Sequence, residues 1–247
     1  MAVNTQRMEG FDPLTSFGPA VAQEYDDELR GDEAAAVAFL TKHTSTTALE
    51  LAIGTGRIAL PLAATGIGVD GIELSEAMVD RLRAKDGADL KVVLGDMTTA
   101  TTGSSYPLVY LVFNTLFNVL TQAGQIDCFR NAARHLDNDG VFVVEAAPPW
   151  AWIKGDQFIN VERITTDAVT LDVNTYDPVT QVLDENHVRI GPNGIRMGPI
   201  SCRLIYPSEM DLMAELAGLE LVSRHGGWSD EPFTSGSTFH VSTYRKS

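Results

Sequence analysis

The sequence predicts an α/β fold in which a doubly wound, mostly parallel sheet carries a small inserted antiparallel β lobe. Two observations support this prediction. Between residues 48 and 146, short apolar runs alternate with stretches of helical periodicity, which is typical of a parallel sheet covered by helices. Between residues 158 and 206, four extended segments follow one another without an intervening helix, so we expect them to pair antiparallel.

The helices of the parallel part follow from apolar spacing and capping residues. Residues 21–40 are predicted to be helical, with acids outward and apolar residues inward. Residues 57–64 form the next helix, which is expected to start late or kink because Pro61 is comfortable only in a first turn. Ser75 is the expected N-cap of a further helix, and residues 125–136 form another. Strands are predicted at residues 48–53, 69–74, 91–94, 108–113 and 141–146.

The pattern changes after Pro148. Residues 207–218 return to helical periodicity, with Ser208 as the candidate N-cap, and residues 219–225 and 238–245 are predicted to be the last strands. The lobe segments are residues 158–165, 168–176, 181–190 and 195–206.

Composition excludes several classes of function. The 18 basic and 33 acidic side chains give a net charge of −15, which repels nucleic acid. No apolar run approaches the ~18 residues of a membrane span, and the N-terminus lacks the pattern of a secretory signal. Cys128 and Cys202 stand far apart without a His pair at ligand spacing. We therefore expect a cytoplasmic protein with reduced cysteines, no metal, and no nucleic-acid or membrane partner.

The most informative segment is a strand, a glycine turn and a helix over residues 48–66, followed by an acid at the end of the next strand. Gly54 and Gly56 leave bare backbone for a ligand, and the turn leads into a helix N-terminus whose N–H groups are unpaired. Glu73 can accept hydrogen bonds from both hydroxyls of a ribose. This combination predicts a nucleoside-binding site.

Two nucleoside cofactors fit such a turn. Residues 54–59 also match the dinucleotide fingerprint, so an NAD-dependent short-chain dehydrogenase must be considered. Those enzymes carry the glycine turn near the N-terminus together with a Tyr-x-x-x-Lys pair. Here the turn begins about 50 residues into the chain, and no tyrosine has a lysine four positions later. The dehydrogenase interpretation is therefore disfavoured.

The chain resembles the class I S-adenosylmethionine (SAM)-dependent methyltransferases in five short motifs that occur in the family's order and spacing over residues 20–245. Ala52 replaces the first glycine of the common first motif and leaves the two turn glycines intact. The motifs are residues 50–57 (ELAIGTGR), 73–78 (ELSEAM), 94–97 (LGDM), 112–117 (VFNTLF) and 139–145 (DGVFVVE).

This resemblance implies a seven-stranded Rossmann-like sheet whose last strand inserts antiparallel between the fifth and sixth. Together with the pattern along the chain, it predicts a flexible N-terminus (1–20), a SAM-binding core with a helical cap (21–150), the β lobe (151–206) and a C-terminal completion of the sheet (207–247). The cofactor is SAM and its product is S-adenosylhomocysteine. The cofactor-binding residues implied are Glu50, Ala52, Gly54, Gly56, Arg57, Glu73, Leu74, Met78, Gly95, Asp96, Met97 and Phe113.

The acceptor site is less clearly marked. Tyr25 lies in an N-terminal Tyr-Asp element that folds over the cofactor in the family, and Asn114 follows the fourth strand, so both are positioning candidates. Phe117, Trp150 and Trp152 are further substrate candidates, because aromatic residues at the exits of the fourth and fifth strands suit a pocket wall or lid. No catalytic acid–base pair is identified beside the fourth motif.

Methyl transfer depends mainly on orientation, and a neutral amine needs no strong base. We therefore expect a methyltransferase that acts on a small-molecule amine by in-line displacement, as a monomer or homo-oligomer. Transfer to oxygen or carbon remains open, as does a SAM-binding protein without turnover. Transfer from labelled SAM to a panel of acceptors would separate these alternatives.

Overall fold

The computed structural model describes residues 8, 16–26, 30–85, 87 and 89–247. In these residues, the strands are β1 (Thr47–Leu51), β2 (Gly68–Glu73), β3 (Lys91–Leu94), β4 (Tyr106–Leu111), β5 (Leu136–Ala146), β6 (Gln157–Ile164), β7 (Val169–Asp177), β8 (Val182–Gly191), β9 (Gly194–Arg203), β10 (Leu219–His225) and β11 (His240–Lys246). The helices are α1 (Pro19–Glu24), α2 (Glu33–Leu40), α3 (Ala59–Ala63), α4 (Glu76–Arg83), α5 (Gln122–His135), α6 (Pro149–Trp152) and α7 (Pro207–Leu216), with a 3-10 turn at Thr115–Asn118.

Seven strands form the main sheet in the order β10-β11-β5-β4-β1-β2-β3. The strands from β1 to β5 pair in parallel, whereas β11 runs antiparallel to both β5 and β10. This confirms the predicted α/β Rossmann-like fold, including the last strand inserted antiparallel beside the fifth. The carboxyl ends of β1, β2 and β4 meet at one edge, where ligands bind in open sheets of this type.

Four further strands form a separate antiparallel sheet in the order β6-β7-β8-β9, as the sequence predicted. Successive side chains of a strand point to opposite faces, so each cross-strand row belongs to one face. Asn160, Asp172 and His187 form one row of the inner face, which is turned towards the strand ends of the main sheet. Val161 and Leu171 belong to the outer face.

The main sheet buries apolar residues on both faces. On one face, the ring of Phe129 in α5 packs edge to face on Phe142 and Tyr244 at centroid distances of 5.3 and 5.7 Å. On the other face, Phe39 of α2 packs against Trp228 at 5.5 Å. None of the helices in the described part of the chain combines the length and apolar character needed to cross a membrane.

Two local expectations are corrected. Residues 21–40 do not form one helix, because α1 ends at Glu24 and Gly31 adopts φ +83°, a left-handed conformation that interrupts a right-handed helix. Ser208 is not the N-cap of α7, because the helix begins at Pro207 and Tyr206 occupies the cap position. The late start of the helix containing Pro61 is confirmed by α3. The predicted flexible stretch at residues 1–20 lies largely outside the described residues.

Candidate functional site

A cavity of about 420 Å³ opens at the carboxyl ends of β1, β2 and β4 and extends to the inner face of the lobe sheet. One wall of the cavity is therefore formed by the strand ends that carry the predicted cofactor motifs, and the other wall is formed by the lobe sheet. The predicted site residues that line it are Tyr25, Ala52, Gly54, Glu73, Met78, Phe113, Asn114 and Trp152.

The turn after β1 is held in a left-handed backbone conformation. Gly54 has φ +56° and Gly56 has φ +81°, and a Cβ added at Gly56 would lie 2.4 Å from Cδ1 of Leu82. Glycine is required there both for conformation and for space. Ala52, where the common pattern has glycine, adopts φ 55° and therefore holds a strained backbone beside the cavity.

Glu73 at the end of β2 is fixed by backbone donors. Gly54 N–H donates to its Oε2 and Ser75 N–H donates to its Oε1, each at 2.8 Å. Burial raises the pKa of Glu73, and these backbone hydrogen bonds act against that rise. Each carboxylate oxygen retains acceptor capacity towards the cavity. This donor–acceptor arrangement fits the two hydroxyls of a ribose.

Glu50 lies behind the turn and not in the cavity wall. It is 2% exposed and accepts a hydrogen bond from the Tyr110 hydroxyl at 3.0 Å. Burial raises the pKa of Glu50 to about 8. Arg57, on the other side of the turn, pairs with Asp32 at 2.5 Å and with Glu33 at 3.3 Å. Arg57 thereby ties α2 to the glycine turn.

The N-terminal segment closes one side of the cavity. Asp26, next to Tyr25, accepts hydrogen bonds from the Thr55 hydroxyl at 2.6 Å and from Lys85 Nζ at 2.9 Å. Burial alone would raise the pKa of Asp26, but these hydrogen bonds lower it. The guanidinium of Arg30 lies 3.1 Å from the ring centroid of Phe113. Asp26 is the acid of the predicted Tyr-Asp element, whereas Lys85 was missed by the sequence analysis, because nothing in its spacing links it to the glycine turn.

The exit from β4 is pinned by the exit from β5. Phe113 and Asn114 adopt φ 60° and 59°, an uncommon conformation for two consecutive residues that are not glycine. Phe113 N–H donates to Oε2 of Glu145 at 2.7 Å, and Ala147 N–H donates to Oδ1 of Asn114 at 2.5 Å. These bonds hold the Phe113 backbone and the Asn114 side chain at the boundary between the two halves of the cavity.

The lobe supplies a polar wall that the sequence analysis did not identify. Nδ1 of His187 lies 2.7 Å from Asp172, and Nε2 lies 2.8 Å from Glu185. The hydrogen bond to Glu185 is the largest cause that raises the pKa of His187 to about 9, against the opposing effect of burial. Asn160 and Asn174 line the same wall. The wall was missed because its members are scattered over three strands and meet only through the antiparallel register.

Glu162 is a further neighbour of Asp172 and His187 in this wall. Each of these three side chains has one atom that could ligate a metal ion, and the three atoms lie within 4.8 Å of one another. Both ring nitrogens of His187 are already engaged by carboxylates. The group therefore acts as a hydrogen-bonded charge network in this structure.

The other predicted residues lie around the cavity without lining it. Oδ1 of Asp96 accepts from the Thr98 N–H and hydroxyl at 2.8 and 2.7 Å. Phe117 is buried beneath the Trp152 ring, with centroids 5.6 Å apart. Trp150 is 44% exposed and stacks near Tyr206. Leu74 is half-exposed and Met97 is buried, and Gly56 and Gly95 lie in the loops. The roles assigned to all of these residues stay predictions.

Comparison with known proteins agrees with this geometry. A family profile described as "Methyltransferase domain" matches residues 48–140. The chain is 37% identical to the CcbJ methyltransferase from Streptomyces caelestis, whose solved structure superimposes with a TM-score of 0.90 over 96% of this chain and 100% of that chain. It is also similar to the cypemycin N-terminal methyltransferase of a Streptomyces species, at 27% identity over 81% of this chain and 84% of that protein.

A third relative matches a shorter part of the chain. It is the dTDP-3-amino-3,6-dideoxy-alpha-D-glucopyranose N,N-dimethyltransferase of Streptomyces fradiae, which is 31% identical over 56% of each chain.

Proposed function

Because this chain belongs to the class I SAM-dependent methyltransferases of the small-molecule branch, we propose that its acceptor atom is an amine nitrogen. When bound, SAM supplies a methyl group activated on a sulfonium. The residues that would hold it are those of the nucleoside half of the cavity, chiefly Glu73, Gly54 and Met78. The acceptor would occupy the other half, between the exit from β4 and the lobe.

The observation that carries the proposal is the acidic acceptor wall. Asp172 and Glu185 line the cavity opposite the cofactor motifs, and His187 between them brings one positive charge to two carboxylates. Glu162 adds another carboxylate 3.7 Å from the same imidazole. Lys154 also lines the cavity, so three carboxylates stand against two positive charges, those of Lys154 and His187. The wall together with Glu162 therefore keeps a net charge of about −1, which attracts an ammonium group and favours it over a neutral alcohol.

The chain's residues have three tasks in such a reaction. The bound ammonium gives one proton to a carboxylate of Asp172 or Glu185, and the neutral amine that remains is the nucleophile. Its N–H groups donate to these carboxylate oxygens, which orient its lone pair towards the methyl group, and the nitrogen regains a positive charge when the methyl group is transferred. The apolar wall side chains, including Trp152 and Phe158, exclude water from the same space. Orientation of this kind lowers the activation free energy by several kcal/mol. In favourable cases the reduction is on the order of 7–11 kcal/mol. His187, held protonated by its neighbours, serves to fix the carboxylates and not to remove a proton.

The relatives support nitrogen as the acceptor atom. Two of them are described by name as an N-terminal methyltransferase and an N,N-dimethyltransferase. The two names give acceptors of different kinds, an N-terminus in one and an amino sugar nucleotide in the other, which agrees with an acceptor wall built on a separate lobe.

The test is methyl transfer from labelled SAM to matched pairs of small molecules that differ only in carrying an amine or a hydroxyl. We expect product from the amines, located on nitrogen by mass spectrometry. Asp172→Asn and Glu185→Gln should raise the acceptor KM and leave SAM affinity unchanged. Transfer to the hydroxyl partners alone would refute the proposal. Binding of SAM without transfer to any acceptor would favour a protein without turnover.

A further inference from the structure

A row of arginines crosses the inner face of the lobe sheet beside the acceptor wall. From β6 to β9, the four cross-strand partners of this row are Arg163, Thr170, Arg189 and Arg196. We define these four residues as the arginine row. Thr170 and Arg189 each lie two positions along their strands from Asp172 and His187, so the two rows share one face and stand about 7 Å apart.

A β-bulge in β6 brings Arg163 into this row. The register shifts between Val161 and Arg163, which leaves Glu162 as the extra residue. Glu162 lies 3.7 Å from Nδ1 of His187 and joins the charge network of the acceptor wall, whereas Arg163 pairs with Thr170. Without the bulge, Arg163 would share the outer face with Val161. The bulge therefore places charges of both signs on the inner face.

The arginine row is unfavourable for strand pairing. Like charges directly opposite each other on neighbouring strands destabilise a sheet, and Arg189 and Arg196 form such a pair. Arg163 is separated from Arg189 by Thr170 alone. The chain has 18 basic side chains against 33 acidic ones, so three arginines in one row are not explained by its composition. These observations point to a role in binding.

The surface at the arginine row is concave. Arg163 and Arg189 line a depression of about 220 Å³, and Arg189 and Arg196 line an adjoining one of about 440 Å³. Among the described residues that line these two depressions, Asp167 brings the one carboxylate. Three guanidinium groups against one carboxylate leave a net charge of about +2. The depressions therefore offer an anion a positively charged recess at the edge of the acceptor wall.

On the basis of the amine acceptor proposed above, we propose that the arginine row binds an oxyanion, a carboxylate or a phosphate, that the same acceptor carries. A planar guanidinium donates two parallel hydrogen bonds to such a group. Arg163 and Arg196 each take part in a further interaction within the chain, and the five N–H donors of a guanidinium leave donors for a ligand as well. The acidic wall holds the ammonium and the arginine row holds the oxyanion, so the inner face selects an acceptor that carries both charges.

The test is the binding of three small probes to the full chain saturated with S-adenosylhomocysteine, measured by ligand-observed NMR titration. The probes are 6-aminohexanoate, 6-aminohexyl phosphate and the neutral 6-aminohexanamide, which share an amine and a spacer. All three arginines are exposed, so we expect the anionic probes to bind roughly three- to tenfold more tightly than the amide at low salt. The difference between the two anionic probes identifies which oxyanion the row prefers.

Two features of the measurement make this preference specific. The net charge of −15 repels anions, so tighter binding of the anionic probes requires a local positive site. Added sodium chloride should reduce the advantage of the anionic probes over the amide, because the charges of an exposed site are screened.

Replacing Arg189 removes the central guanidinium of the row. Arg189→Gln should bring the dissociation constants of both anionic probes close to that of the amide and leave amide binding unchanged. Arg189→Lys should restore part of the preference, because lysine keeps the charge but lacks the planar fork. Arg245→Gln is the matched control, since Arg245 is an exposed arginine of β11 that pairs with Glu220 in the main sheet. Circular dichroism verifies that each variant is folded.

Equal binding of the three probes by the wild-type chain, or binding of none of them, would overturn the assignment of an oxyanion to the arginine row. So would a preference for the anionic probes that Arg189→Gln leaves intact. This readout requires no methyl transfer, so it is separate from the assay with labelled SAM. Transfer to amines with equal probe binding would refute the arginine row alone, and transfer to hydroxyls alone with a preference that depends on Arg189 would refute the amine acceptor alone.

Discussion

Replacing Glu73 by alanine tests the nucleoside half of the cavity most directly. The carboxylate is held by Gly54 N–H and Ser75 N–H, so its remaining acceptor positions are fixed before any ligand arrives. Hydrogen bonds to a charged group contribute about 1.5–3 kcal/mol. A loss of that size corresponds to a weakening of the SAM dissociation constant by roughly 10- to 150-fold, at about 1.4 kcal/mol per factor of ten.

Calorimetric titration with SAM and with S-adenosylhomocysteine measures this loss, and thermal unfolding verifies that the variant is folded. Glu73→Gln should fall between wild type and Glu73→Ala, because the amide keeps one oxygen but turns an N–H₂ group towards a backbone donor. The matched control is Glu76→Ala, which removes an exposed acid from the first turn of the adjoining helix α4. An unchanged dissociation constant in folded Glu73→Ala, or an equal loss in Glu76→Ala, would refute the assignment of Glu73 to the ribose.

Three further outcomes test other parts of the site. Burial raises the pKa of Glu50 from 4.5 to about 8. Between pH 4.5 and 8 the folded chain therefore holds a proton that the unfolded chain has released, so folding stability should fall as pH rises through this range. Glu50→Gln should flatten that slope by at most about 1.4 kcal/mol per pH unit in denaturant titrations, and an unchanged slope would contradict the raised pKa. The pKa of His187 is raised from 6.5 to about 9, so its contribution to folding stability is complete below pH 6.5 and is lost as pH rises through 9. His187→Gln should remove this loss of stability from thermal unfolding curves measured across that pH range. A loss that persists in the variant would assign it to another group. Trp152→Ala should raise the acceptor KM by roughly tenfold through the loss of about 1.5 kcal/mol of apolar contact, with SAM affinity preserved. Trp150→Ala should have a smaller effect because its ring lies outside the cavity, and equal effects would place both rings over the acceptor.

The sequence predicts the main sheet well because each of its elements carries a local signal. Apolar runs mark β1 to β5, and Ser75 accepts the hydrogen bond from Met78 N–H that an N-cap should accept. The glycine turn and Glu73 are close in the chain and adjoin through the pairing of β1 with β2, so the nucleoside half could be predicted.

The acceptor half depends on contacts between residues that are distant in the chain. Asp172 and His187 meet only because β7 and β8 pair in one register, and a shift of one residue would place them on opposite faces. The hydrogen bond between Ala147 and Asn114 likewise joins two strand exits that the sequence separates by 33 positions. Helix 21–40 was predicted as continuous because apolar spacing does not report the left-handed conformation at Gly31.

The alternation of faces in the lobe has an evolutionary consequence. In β7, Asp172 and Asn174 face the cavity while Leu171 and Val173 face outward, so a point substitution changes one face and leaves the other intact. Substitutions at inward positions can therefore change the contacts to the acceptor while the outward surface stays the same. The same strands allow a lineage to take up a new acceptor without first rebuilding its scaffold.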